Sequence, residues 1–132
     1  MELEEQVMGI IINAGQSRSL CYEALSCAKA GDFAAADEKM KEAAHFAREA
    51  HLVQTQLIEA DEGEGKTKMT LVMVHAQDHL MTSILAKELI GELIAIYRNR
   101  CTRSVPPLRG RGDDVARVCL LYTLTLPTIC SV

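Results

Sequence analysis

The sequence predicts an all-α protein, an antiparallel three-helix bundle that runs up-down-up. Three observations predict it. Apolar residues recur at helical spacings along three long stretches, Pro is absent from all of them, and the two glycine-bearing breaks between them are short. The 132 residues, 48% hydrophobic and 24% charged, suffice to bury one core without a metal or disulfide staple.

The first helix spans Leu3 to Ala30, where Leu3, Val7, Ile10, Ile11, Ala14, Cys21, Leu25 and Ala28 recur at intervals of three, four and seven. Gly31-Asp32 ends it, glycine suiting the left-handed residue after a helix and aspartate the cap of the next. The second helix covers residues 33 to about 60, rich in Ala, Glu and Lys, with a weaker apolar stripe through Phe33, Ala36, Met40, Ala43, Ala47, Ala50, Leu57 and Ile58. Asp61-Glu62-Gly63-Glu64-Gly65-Lys66 follows as an acidic loop, whose carboxylates would repel phosphate and whose spacing is not that of a P-loop. The third helix runs from about Thr67 to Arg98 and is apolar on more than one side. Val72, Met73, Ala76, Leu80, Ile84 and Leu85 cover one side, and Val74, Met81, Leu89, Ile90, Leu93, Ile94 and Ile96 extend it. Such a helix wants neighbours on more than one side, so self-association into a larger bundle is expected.

Composition excludes several function classes. The net charge is −4 and there is no Trp, so neither an electrostatic footprint nor stacking platforms for nucleic acid are present. No stretch reaches the ~20 apolar residues of a membrane span. The acidic start Met1-Glu2-Leu3-Glu4-Glu5 is not the basic region of a signal peptide. Five cysteines without a close pair suggest neither a disulfide framework nor a structural zinc site, and a reduced, cytoplasmic setting fits.

Charge is uneven along the chain. Residues 1–99 carry nine Lys and Arg against sixteen Asp and Glu, whereas residues 100–132 carry five Arg, no Lys and two Asp. The latter also hold all three prolines (Pro106, Pro107, Pro127) and Cys101, Cys119 and Cys130. The expected organisation is therefore a helical domain over 1–99 and an irregular, disordered tail over 100–132, of the composition that an altered reading frame or a fused sequence produces.

On the third helix, His75, Asp78 and His79 fall within an arc of roughly 100° at about 100° per residue. Polar groups in so apolar a segment cost free energy unless they are paired or used. Three readings stay open from spacing. The face is a hydrogen-bonded cluster in which Asp78 orients a histidine; or it binds metal, two histidines at i and i+4 with a carboxylate being acceptable ligands; or a neutral imidazole accepts a phosphoryl group and passes it on. Elsewhere, His51, Gln54 and Thr55 read as members of inter-helix hydrogen bonds and His45 as a solvated residue. Arg18 reads as cover for apolar surface or a partner for carboxylates, and Cys21 and Cys27 as small hydrophobes.

Several ordered strings resemble one family. They are Ile11-Ile12-Asn13-Ala14-Gly15 with Ser17-Arg18-Ser19, Ala28-Lys29-Ala30-Gly31-Asp32-Phe33, Ala50-His51-Leu52-Val53-Gln54-Thr55, Gly63-Glu64-Gly65-Lys66, and Val74-His75-Ala76-Gln77-Asp78-His79-Leu80-Met81-Thr82-Ser83. Over residues 2 to 98 the chain resembles the lactose/cellobiose-class enzyme IIA of the bacterial sugar phosphotransferase system, most of all its N,N′-diacetylchitobiose branch. The resemblance implies three-helix subunits in a homotrimer. It implies phosphorylation of His75 by the histidine-containing phosphocarrier protein and transfer to a cysteine of enzyme IIB, with the membrane enzyme IIC served indirectly. It further implies that Asp78 lies at the trimer axis and holds magnesium or another divalent cation with its symmetry mates. His79 would orient or contact the phosphoryl group, and Gln77 would do so across a subunit boundary. A non-catalytic trimeric scaffold with a structural metal site is the rival expectation. The tail after Tyr97 departs from the family pattern and is expected to add nothing to phosphoryl transfer.

Overall fold

The structure, a computed structural model, describes residues 2–103. It contains α1 (Leu3–Lys29), α2 (Phe33–Asp61) and α3 (Leu71–Thr102), and no strand among the described residues. Cross-helix contacts fix the directions. Ser17 meets Ala43 and Glu23 meets Lys39, so α1 and α2 are antiparallel. Gln54 meets Gln77 and Met40 lies by Gly91, so α2 and α3 are antiparallel too. Both being antiparallel to α2, α1 and α3 are parallel, with Gly15 lying against His79. This is the expected up-down-up bundle, and α1 packs on both other helices more extensively than these pack on each other.

Local chemistry explains the helix ends. Gly31 adopts a left-handed φ of 84°, and the Asp32 carboxylate accepts the Ala35 N–H at 3.1 Å to cap α2. After α2, Asp61 accepts N–H bonds from Gly65 at 3.1 Å and Thr67 at 2.7 Å, folding the acidic loop around one carboxylate. These bonds also hold the Asp61 carboxyl below its usual range. Gly63 and Gly65 both take φ of 72° to make that turn. Because Thr67 is committed to the loop, α3 begins later than residue 67. Thr70 caps it, accepting the Met73 N–H at 3.2 Å. At its other end α3 continues to Thr102, across the composition change near residue 100. The expected irregular tail otherwise lies outside the described residues.

The core has two ends. One joins Val7, Ile10, Ala14, Ala50, Leu57, Met73, Ala76 and Leu80, and the other Leu20, Cys21, Ala24, Ala28, Ala36, Ala43, Ile90 and Ile94. Between them lies Ser17, fully buried, whose hydroxyl donates to the Ala43 carbonyl at 2.8 Å. Alanine at so many buried positions lets the helices approach closely, and leaves little slack for repacking.

Candidate functional site

Taken at about 100° per residue, α3 has two apolar faces. Met73, Ala76, Leu80, Ile90 and Ile94 face the bundle and are buried. Leu71, Val74, Met81, Leu85, Leu89, Leu93 and Ile96 form a second stripe within an arc of roughly 120°, and all are exposed. Asp78 is exposed too and falls in the middle of this second stripe. A carboxylate surrounded by unpartnered apolar side chains is the first unusual feature of the molecule.

The second is the histidine pair. His75 is exposed and His79 half-buried, on the flank of α3 between its two faces. Their rings stack almost parallel, at 5° with centroids 5.9 Å apart. A Cβ placed on Gly15 would stand 3.4 Å from His79 Nε2, so the α1 backbone walls the pair on one side. Burial lowers the proton affinity of His79, and the charges of His75 and Arg18 lower it further. Both influences favour the neutral form of His79. Its backbone carbonyl is tied down by the Ser83 hydroxyl at 2.6 Å, and that of Asp78 by Thr82 at 2.8 Å.

Gln77 lies elsewhere. It sits roughly 160–200° around α3 from the histidines, on the opposite flank. There its side-chain oxygen accepts from Gln54 Nε2 of α2, and its own amide nitrogen is 3.8 Å from Met73 Sδ. The structure thus brings together His75 and His79, places Asp78 beside them on the outer stripe, and separates Gln77 from them within the chain. Among the described residues, no three His, Cys, Asp or Glu side chains gather where they could hold a metal ion. Gln54 does join an inter-helix hydrogen bond, as expected. Thr55 does not: its hydroxyl donates to the His51 carbonyl at 2.9 Å within α2, because one turn of its own helix offers a nearer acceptor. Reading the sequence missed the contact of Gly15 with His79. A glycine at mid-helix, where alanine would be favoured by about 1 kcal/mol, was the available signal.

The family described as PTS system, lactose/cellobiose specific IIA subunit, matches residues 5–98. The chain belongs to that family. A IIA relative, the N,N′-diacetylchitobiose-specific EIIA component of Escherichia coli K12, is 66% identical over 96 residues, covering 73% of this chain and 83% of that one. The solution structure of the Escherichia coli IIA(chitobiose)–HPr complex is 63% identical, covers 75% of this chain and 96% of that one, and has a TM-score of 0.66. The crystal structure of the cellobiose-specific enzyme IIA of Bacillus anthracis is 40% identical, covers 79% and 96%, and has a TM-score of 0.74. This IIA chain is a phosphotransferase component of the lactose/cellobiose class, and its likeness to the diacetylchitobiose branch is supported. No helix among the described residues is long and apolar enough to cross a membrane. The family match ends within α3, at residue 98.

Proposed function

We propose that this chain accepts a phosphoryl group on His75 from HPr, the histidine-containing phosphocarrier protein, and hands it to a cysteine of enzyme IIB during uptake of a disaccharide. Diacetylchitobiose is the sugar favoured by the relative at 66% identity, ahead of cellobiose and lactose. One observation carries the reading: an exposed imidazole stacked on a second, half-buried imidazole against the α1 backbone. In the first transfer a ring nitrogen of His75 attacks phosphorus. The bond from phosphorus to the donor's histidine nitrogen breaks, and its electron pair returns to the donor ring. In the second, a thiolate of enzyme IIB attacks, the bond from phosphorus to His75 breaks, and His75 is restored. Both are positioning problems, which suits a site built on rigid helices. His79, stacked on the His75 ring, keeps that ring in one orientation.

The second stripe of α3 supports a homotrimer around the Asp78 side of the helix. In such a ring, the flank bearing His75 meets the next chain's opposite flank, which bears Gln77. That is how Gln77 would reach the phosphoryl group across a subunit boundary. Three Asp78 carboxylates converging in an apolar seam need compensation, and their oxygen donors fit magnesium or another hard divalent cation. Such a cation would supply charge neutralisation and hold the seam together. Membership of the IIA family supports a cytoplasmic carrier that serves enzyme IIC only through enzyme IIB.

Incubation with phosphoenolpyruvate and the general phosphotransferase proteins tests the reading. One acid-labile, alkali-stable phosphate per chain is expected, abolished by His75→Ala and retained by His79→Ala and His51→Ala. A chain that assembles but takes no label at His75 would instead be a helical scaffold.

A further inference from the structure

We propose that Gly15 of α1 is a positioning residue for phosphoryl transfer, its bare backbone seating the edge of the His79 ring and thereby the His75 ring stacked on it. The proposal rests on His75 being the phosphorylated residue. A Cβ placed on Gly15 would meet His79 Nε2 at 3.4 Å, and no other atom from across the bundle within 4 Å. That distance is the inner limit of ordinary contact, so one methyl fills the gap and a larger group overlaps the ring. The other two glycines inside helices differ. A Cβ on Gly9 would meet nothing within 4 Å, and one on Gly91 would meet only the flexible end of Met40 at 3.9 Å.

The α1 wall cannot retreat from a larger residue. Ala14, next to Gly15, is fully buried and shares one core cluster with Val7 and Ile10 of α1 and with Ala76 and Leu80 of α3. These residues lock the two helices together at the level of His79, at a density that leaves no slack for a backbone shift. Leu80 follows His79 directly and is fully buried too, so the base of the imidazole is fixed as well. The ring is the part that can move. One of its faces lies on His75, nearly parallel at 5° with centroids 5.9 Å apart. Its edge toward α1 lies on Gly15. Pushing that edge outward slides or tilts the ring in the stack, and the His75 ring loses the neighbour that orients it. In-line attack on phosphorus depends on that orientation, and a misplacement of about 1 Å costs up to about a hundredfold in rate. The covalent step is that of His75 described above; Gly15 takes no part in bond making.

Rapid-quench transfer from phosphorylated HPr to the full chain tests this with graded substitutions. Alanine and valine both favour a helix interior over glycine, so neither should weaken α1 itself. Gly15→Ala should raise the melting temperature, move the NMR ring signals of both histidines slightly, and keep the transfer rate within about threefold of wild type. Gly15→Val should move those signals further and lower kcat by about tenfold to a hundredfold, with KM for phosphorylated HPr unchanged. Gly9→Val should alter neither rate nor signals. In a His79→Ala background, where the displaced ring is gone, Gly15→Val should add less than about a twofold loss. Wild-type kinetics in Gly15→Val, or unmoved ring signals in either Gly15 variant, would overturn the proposal. So would an equal loss from Gly15→Val with and without His79, which marks a packing role, or an equal loss from Gly9→Val. Failure of wild-type protein to label at His75 in the same assay would sink the underlying reading instead.

Discussion

Replacing Leu85 by Glu asks whether the outer stripe of α3 is an assembly seam. Leu85 is 54% exposed, close to its stripe neighbours Met81 and Leu89. Full burial of such a side chain is worth about 1.5–3 kcal/mol, so covering the exposed half contributes about 1 kcal/mol per chain. A carboxylate in its place loses that and adds a desolvation cost of roughly 1–3 kcal/mol. Summed over three symmetric copies the penalty is roughly 6–12 kcal/mol, which exceeds a factor of ten thousand in the trimer association constant. Within one chain the change is benign, since the position faces outward and Glu is a good helix former. Sedimentation equilibrium should give three chains for the wild type and one for Leu85→Glu at the same concentration, with equal helical circular dichroism. Lys41→Glu, at an exposed site on α2, should leave the mass unchanged. An unchanged mass for Leu85→Glu would refute the placement of the seam.

Other outcomes follow from single contacts. Leu80 is fully buried between alanines that cannot close over a void, so Leu80→Ala should cost about 3–5 kcal/mol in urea titrations; less than 1.5 kcal/mol would mean that this end of the core is loosely packed. The proton affinity of His79 is lowered in the fold, so native protein binds fewer protons there than unfolded chain. That contribution to stability is intact above the ordinary histidine value and declines as pH falls below about 6.5; His79→Gln should flatten this acid-side decline in melting temperature, and an unchanged slope would count against it. Asp61 is likewise shifted down, here by its N–H bonds, so its contribution holds above the ordinary aspartate value and is lost as pH falls below it. Asp61→Asn should weaken the bonds to Gly65 and Thr67 and show as faster amide exchange at both residues; protection equal to wild type would show that the turn does not depend on the charge.

Periodicity made the three helices legible, because each buried face is built from apolar residues at the right spacing. The start of α3 was less so. Thr67 and Thr70 are equally good capping residues, and only the bonds from Asp61 to the loop decide between them. Spacing also placed His75, Asp78 and His79 together, since all three belong to one helix. It could not show that Asp78 turns outward among uncovered leucines while Gln77 turns to Gln54, because those directions depend on which side of α3 the bundle occupies. The part played by Gly15 was hidden for a similar reason. It contributes no side chain, and its contact with His79 exists only once α1 lies parallel to α3.

The placement of His75 and Gln77 on opposite flanks of α3 has a genetic consequence. If every site draws its histidine from one chain and its glutamine from the next, a mutant lacking His75 and a mutant lacking Gln77 are each inactive alone but not when co-expressed. Any mixed ring contains one junction where an intact histidine meets an intact glutamine. Random assembly from equal amounts of the two chains would restore about a quarter of the sites, making interallelic complementation a direct reporter of subunit order around the ring.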